Sequence, residues 1–320
     1  MQTAQFERIQ DDELLALQEE LQEKSYKPGA YHSFFIHDPK KRLISAAPFR
    51  DRVVHHALCS VIEPIWEARF IHDSYANRVG KGTHRALDRA QKFSRKYKYV
   101  LQCDVRQFFP SIDHEILLNE FSRLIKDKDV LWLCESILKS GDGVLADEYD
   151  MKYFEDDTLF AVNRPRGLPI GNLTSQFWAN VYMNGFDHFV KRELKCPAYI
   201  RYVDDFLLFS NDKKQLAVWR AGIIEETAKL RLTLHEDCAQ IFPVSTGIPF
   251  LGFRVYPDHR LLKTRKAIHF RRKLKRLLSD YSNRLLLFPQ LNQSIQGWVN
   301  HVRFGDTWGL RRSILAGVKL

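Results

Sequence analysis

The sequence predicts an α+β protein, a mixed body of antiparallel strands and helices followed by a small, basic, helical C-terminal subdomain. Three observations carry this. Apolar strand-type runs close around isolated acids, as in YVLQCDV (99–105) and RYVDDFLLFS (201–210). Other stretches repeat apolar residues every three to four positions, the period of a helix face. Charge is also uneven. Of a net +10, the stretch from His259 to Leu320 holds 14 Lys and Arg against two acids, so the rest is slightly acidic. With 320 residues, 45% of them hydrophobic, the chain can bury the core of one large domain or of two to three subdomains.

The elements follow in order. Residues 8–24 read as an amphipathic helix through Leu14, Leu17 and Leu21, stopped by Pro28-Gly29. Residues 49–70 read as a second helix, with Val53, Val54, Ala57, Leu58, Val61 and Ile65 on one side. A strand over 99–105 surrounds Asp104, and Ser111 is placed to cap the helix after it. GLPIG (167–171) is a rigid loop feeding one long helix, LTSQFWANVYMNGFDHFVKREL. Short strands flank Asp204 and Asp205; a helix over 214–230 and strand runs LRLTLH and PFLGFRVYP follow. Beyond 266, Phe270, Leu274, Leu277, Tyr281 and Leu285 mark one helix and Leu291, Ile295, Trp298 and Val302 another.

Composition excludes several classes. No apolar run approaches the roughly 20 residues of a membrane span, and the first residues lack the layout of a secretory signal. The five cysteines are scattered without a CxxC pair, which suggests buried thiols in a cytoplasmic protein and neither a zinc site nor a disulfide framework. The basic C-terminal fifth suits a polyanion, RNA or DNA first, or else a solvated helix face.

Asp204 and Asp205 pose the central question, since adjacent carboxylates repel by about 4 kcal/mol at an effective dielectric near 20. They mark either an exposed hairpin tip or a site where a cation neutralises them, and the usual turn residues are absent beside them. A two-metal phosphoryl-transfer site needs a further acid on a neighbouring strand. Asp104, alone in an apolar strand, is the candidate; its plain alternative is a strand-end acid paired with an arginine.

DVRQFFPSID, GLPIGNLTSQ, YVDD and FLGF, in that order, resemble the successive palm motifs of reverse transcriptases. Upstream, KKRLISAAPFRDRVVHHAL and SYANRVGKGTHRAL are similar to the finger motifs of bacterial retroelement members, so the resemblance covers Phe34 to Gly252. It implies a right-hand polymerase: an N-terminal helical extension over 1–30, fingers over 31–98, a palm over 99–258 with 120–165 contributing to the fingers, and a thumb over 259–320. It maps Asp104, Asp204 and Asp205 onto the catalytic metal triad, with the Val105 carbonyl as a further ligand, for two Mg²⁺ ions that Mn²⁺ can replace. Template RNA, the RNA/cDNA duplex and dNTPs are the implied partners.

Most members carry glutamine before the glycine of the third motif and then Ser-Pro; here Ile170 and Gln176 stand at the glutamine and proline positions. That form resembles the reverse transcriptases of diversity-generating retroelements, bacterial or phage-encoded. Those enzymes make adenine-mutagenic cDNA from a template-repeat RNA and work with a small, basic, oligomeric accessory protein. Lys41, Arg42 and Arg50 then map onto triphosphate-gripping residues, and Phe109 onto the side chain that excludes a ribose 2′-hydroxyl. Ile170, Gly171 and Gln176 fall beside the nucleotide, and Phe250, Leu251 and Gly252 at the primer grip. Arg271, Arg272, Lys273, Lys275 and Arg276 fall along the nucleic-acid backbone. Each has a plainer reading: a solvated basic run, core aromatics, a packed loop residue, a β-turn. Cys238 stands where relatives carry a pyrophosphate-protonating lysine, which leaves His235 or water as the donor. A retron or group II intron enzyme, or a non-catalytic RNA-binding protein with a polymerase-like palm, are the alternatives.

Overall fold

The computed structural model describes residues 3–37, 41–235 and 239–316. A five-stranded antiparallel sheet lies at its centre. β3 (Tyr99–Arg106) pairs along one edge with β5 (Asp205–Ser210), which pairs in turn with β4 (Tyr199–Tyr202). The other edge of β3 is shared by β6 (Thr233–Leu234) and β7 (Gln240–Pro243). Strand alternation divides the side chains of β3 and β5 between two faces. Leu101, Cys103, Val105, Phe206 and Leu208 enter the larger core, while Val100, Leu207 and Phe209 enter a second one.

Helices cover the first face: α6 (His114–Leu124), α7 (Lys128–Ser140), α8 (Leu173–Tyr182), α9 (Asn184–Arg192) and α10 (Lys213–Lys229). The second face is covered at one end by α4 (Thr83–Lys96) through Ala86, Leu87, Ala90 and Phe93. A small sheet joins it there, made of β8 (Ile248–Phe250), β9 (Phe253–Val255) and β10 (Arg260–Leu262). Further along that face the strands carry Gln102, Asp104 and Asp205, all only partly buried.

At the N-terminal end, α1 (Thr3–Arg8) and α2 (Gln10–Gln22) precede a hairpin of β1 (His32–Ile36) and β2 (Arg42–Ala46), then α3 (Phe49–Glu67). The helix expected over 8–24 is α2, ending six residues before Pro28, and α1 is a further short helix just upstream of it. The buried side of α3 differs from expectation. Val54, His55, Leu58, Cys59, Ile62 and Trp66 are buried, while Val61 is 64% exposed. Counting apolar residues misplaces this face because Asp51 and His55 lie inside it. Asp51 accepts from the Tyr26 hydroxyl (2.7 Å) and Gly29 N (2.8 Å).

Three boundaries also shift. Ser111 closes a short turn of helix, α5 (Phe108–Ser111), and Asp113 caps α6 by accepting from Ile116 N at 3.1 Å. The long helix expected after GLPIG breaks at Met183 into α8 and α9, just before the weak helix formers Asn184 and Gly185. Only Thr233 and Leu234 of LRLTLH form a strand.

The C-terminal helices α11 (Thr264–Ser282), α12 (Phe288–Val302) and α13 (Trp308–Leu315) pack on Phe270, Leu274 and Ile314. Trp298 lies flat on Phe270, centroids 4.0 Å apart, and so belongs to this core; Trp308 is exposed. This unit is fixed where it leaves the body and where it returns. Arg260 donates to Asp88 (2.6 Å) and Gln91 (2.9 Å) of α4, and its carbonyl accepts from Asp306 N (2.7 Å). Phe304 stacks on His84 at 3.6 Å. Among the described residues no helix is long and apolar enough to cross a membrane. Cys59, Cys103, Cys134 and Cys196 are buried; burial pushes the thiols of Cys59, Cys134 and Cys196 up to about 12.

Candidate active site at the Asp104–Asp205 corner

Strand register brings the acids together. Asp104 lies directly across from Asp205 in the β3–β5 ladder, which itself pairs with Tyr202 of β4. Val203 and Asp204 form the two-residue turn between β4 and β5, so the hairpin and metal readings of the acid pair describe the same place. Val203 has φ 58°. A β-branched residue in the left-handed region costs about 1–3 kcal/mol and persists only where its surroundings hold it.

Those surroundings are ionic and buried. Arg201, fully buried, donates to both carboxylate oxygens of Asp187 (2.8 and 2.7 Å), to Asn180 Oδ1 (3.2 Å) and to the Val203 carbonyl (3.0 Å). Tyr199 donates to the same Asp187 at 2.7 Å. The segment 73–75 adds itself beside β4, with Arg201 N on the Asp73 carbonyl (3.0 Å) and Tyr75 N on the Arg201 carbonyl (3.0 Å). The Val203–Asp204 turn therefore rests on a buried polar network, and none of Arg201, Asp187 or Asn180 stands out in the sequence. The only visible signal is a charged residue at a strand position flanked by Ile200 and Tyr202.

The electrostatics fit a hard cation. Burial, then the charge of Asp104, push the Asp204 carboxyl up to about 6 and that of Asp205 up to about 7. Arg42 opposes this at Asp204, while the Gln102 amide and Lys263 oppose it at Asp205. Among the described residues no three His, Cys, Asp or Glu side chains are gathered closely enough to form a ready-made metal cage. Asp104 and Asp205 face each other in the ladder with Asp204 in the adjoining turn, and such oxygen donors suit a divalent ion.

Around the corner the other expected residues divide. Arg42 opens β2, exposed, with its charge reaching Asp204; Lys41 lies over the Phe35 ring at 4.0 Å. Arg50 is engaged elsewhere: Glu13 (3.2 Å) and Glu20 (2.7 Å) of α2 hold it, so the expected gathering of Arg50 with Arg42 is not seen. The GLPIG loop meets β2 edge-on. Ser45 N donates to the Ile170 carbonyl (2.8 Å), and buried Asn172 ties Ala47 N, the Ser45 carbonyl and the Pro169 carbonyl, each at 2.9 Å. Gly171 has φ 121°, and a Cβ there would meet Ile44 Cγ2 at 2.9 Å, so only glycine fits. Ile170 is partly buried beside it, and Gln176 is exposed on α8.

Phe109 is partly buried, and its carbonyl accepts from Leu168 N (2.9 Å), which joins the turn after Asp104 to GLPIG. The Val105 amide donates to the Asp204 carbonyl at 3.2 Å, while its side chain is core. His235 is exposed and donates through its backbone to the Asp104 carbonyl at 2.9 Å; Cys238 lies outside the described residues.

FLGF forms the tight hairpin between β8 and β9. Phe250 and Phe253 are fully buried, and Leu251 and Gly252 turn with φ 46° and 89°, as a type I′ turn requires. Gln102 connects this hairpin to the acids, donating to the Pro249 carbonyl (3.0 Å) and weakly to Asp205 (3.4 Å). Lys263 N donates to the Gly252 carbonyl (3.1 Å), so the base of α11 also meets the hairpin. Arg271, Arg272, Lys275 and Arg276 are exposed along α11 and Lys273 is partly so, none with an ion-pair partner among the described residues.

A family model for reverse transcriptase (RNA-dependent DNA polymerase) matches residues 28–255, and the chain belongs to that family. Protein YkfC of Escherichia coli (strain K12) is 27% identical over 318 residues, covering 83% of this chain and 79% of that protein. The group II intron-encoded protein LtrA of Lactococcus lactis subsp. cremoris is 24% identical over 183 residues, 56% of this chain but 28% of LtrA. Among solved structures, an apo telomerase from Candida tropicalis truncated from its C-terminal domain aligns with a TM-score of 0.53 at 12% identity. That alignment covers 73% of this chain and 55% of the telomerase chain, and the fold is that of a right-hand polymerase.

Proposed function

We propose that this chain copies an RNA template into cDNA from dNTPs at the Asp104–Asp205 corner. The observation that carries the reading is the ladder register. It sets Asp104 against Asp205 with Asp204 in the adjoining turn, on the one end of the sheet face that α4 and the small sheet leave open. Two divalent cations (Mg²⁺, with Mn²⁺ able to substitute) held by Asp104, Asp204, Asp205 and the Val105 carbonyl would supply Lewis-acid activation of a primer 3′-hydroxyl and neutralise departing pyrophosphate. The chain's own groups do the rest. Arg42 presents a guanidinium fork suited to triphosphate oxygens. The FLGF hairpin, tied to Asp205 through Gln102, holds the primer end. The cations of α11 follow the duplex backbone. Phe109 limits the room beside the sugar. Phe109→Ala is expected to raise rNTP incorporation at least tenfold relative to dNTP, measured by steady-state single-nucleotide extension; an unchanged ratio assigns Phe109 to the core alone.

Extension of a DNA primer on an RNA template, with and without divalent metal, tests the reading as a whole. Binding of template-primer without extension would instead mark a non-catalytic RNA-binding protein.

Within the family, LPIGNLTSQ supports the polymerase of a diversity-generating retroelement, which would copy a template-repeat RNA mutagenically with a small basic accessory protein. Isoleucine at 170 cannot donate a hydrogen bond to the nucleotide. Discrimination by shape alone is worth about 1–3 kcal/mol, roughly 10- to 200-fold. Ile170→Gln is therefore expected to lower misincorporation by about tenfold, and sequencing of cDNA from a defined template reads it. An unchanged error spectrum would favour a second reading, supported by the likeness to LtrA: an intron-type enzyme of ordinary fidelity.

A further inference from the structure

Residues 78–98 carry eight Lys and Arg against one acid, Asp88, although the chain ahead of the thumb is slightly acidic as a whole. Most of these cations lie on α4. Its apolar side, Ala86, Leu87, Ala90 and Phe93, packs toward the central sheet, and the outer flank turns Arg85, Lys92 and Lys96 to solvent. An open cavity of about 250 Å³ lies between that flank and the segment before it, with Tyr75 and Lys81 on one side and Arg85, Arg89 and Lys92 on the other. The nearby carboxylates are already engaged. Asp73, 3% exposed, accepts two bonds from Arg89 (2.8 and 3.0 Å) and one from the Tyr75 hydroxyl (3.1 Å). Asp88 accepts from Arg260 at 2.6 Å. Lys81, Arg85 and Lys92 have no ion-pair partner among the described residues. Lys81 and Arg85 donate to the backbone carbonyls of His72 (2.7 Å) and Gly80. Burial, then the charge of Arg78, hold the Lys81 ammonium below its ordinary value.

We propose that this cavity is a binding site for the phosphate groups of a polyanion, separate from the Asp104–Asp205 corner. Lysine meets phosphate as a point charge and arginine through its fork, and an anion here relieves the repulsion among three uncompensated cations. Three charges suit a ligand with several phosphates, either a free polyphosphate or a stretch of RNA backbone. Position sets the site apart from the corner. Tyr75 N donates to the Arg201 carbonyl (3.0 Å), so the segment 73–75 lies beyond β4. With β4 and β5 between them, that segment is three strand spacings, about 14 Å, from β3. From Arg85 to Lys96 the flank runs about 16 Å along α4, toward the start of β3 and away from Asp104 at its far end.

The test is isothermal titration of the full chain with sodium tripolyphosphate, without divalent metal so that the carboxylates of the corner repel the anion. A tight site is expected, with hydrogen exchange slowed over residues 72–92. Affinity should fall at least tenfold in Arg85→Ala/Lys92→Ala and at least fivefold in Lys92→Glu, all changes at exposed positions, and stay the same in Arg271→Ala/Arg272→Ala of α11. A single-stranded oligouridylate of about 12 nucleotides distinguishes the sources. If it displaces tripolyphosphate, and its log–log salt slope shrinks by about 1.4 in Arg85→Ala/Lys92→Ala, the site holds RNA backbone. If tripolyphosphate binds and is not displaced, the site holds free polyphosphate. Absence of tripolyphosphate binding, equal affinity in native chain and Arg85→Ala/Lys92→Ala, or protection confined to α11 overturns the proposal and leaves the flank a solvated helix face.

Discussion

Asp205→Asn is expected to reduce primer extension by about 10³-fold, or about 4 kcal/mol of transition-state stabilisation, while leaving template-primer binding within a factor of about two. The substitution keeps the size of the side chain, the β5 register and the link to Gln102, and removes only the charge. The same variant should be more stable than the native chain in the absence of metal, in a pH-dependent way. Burial and Asp104 raise the Asp205 carboxyl to about 7, above its ordinary value near 3.8. The folded state therefore binds more protons than the unfolded state between these values, and native stability falls as pH rises through that window. At pH 5 Asp205 is largely neutral in the native fold but ionised in the unfolded chain, so the variant already gains part of the difference; by pH 8 Asp205 is charged against Asp104, and the variant gains most. Thermal melts at the two pH values check the sign. A difference that shrinks toward pH 8 would show that the carboxyl is not held in this electrostatic setting.

The second large effect concerns stability. Arg201→Met leaves Asp187 buried, charged and without its bidentate partner, which costs about 3–5 kcal/mol. It also frees the Val203 carbonyl, removing the contact that holds the strained turn. Urea denaturation of the variant, followed by far-ultraviolet circular dichroism, measures the loss. The double variant Asp187→Leu/Arg201→Met, in which neither charge remains, is expected to recover at least half of it. A single variant as stable as the native chain would mean that water already screens the pair.

Much of this was legible because strand patterning and local chemistry agree. YVLQCDV and DDFLLFS read as strands for the reason they are strands: alternate residues fill two different cores. The acids of the site were visible as exceptions to that pattern. What the sequence conceals is polar burial. Asp51 and His55 inside α3, Asn172 stapling GLPIG to β2, and Arg201 beneath the turn all look like surface residues by type. Their partners lie far along the chain, so no local rule pairs them. Arg50 shows a related limit. Its place in an arginine-bearing motif was plain, but Glu13 and Glu20 on α2, more than 29 residues earlier, decide where it points. The break at Met183 shows the limit of periodicity, since an apolar repeat can run on across a junction between two helices.

The double attachment at Arg260 has a mechanical meaning. A lever with one stem can pivot; one whose outgoing and returning stems are clamped at the same point cannot pivot without unclamping both. On the proposal that these helices follow a duplex, its advance by one nucleotide would be absorbed by bending where α11 gives way to α12, around the exposed Leu285 and Leu287. Processivity in this enzyme becomes a question of helix compliance, and loosening Arg260 should let product slip away sooner without altering the chemistry of any single addition.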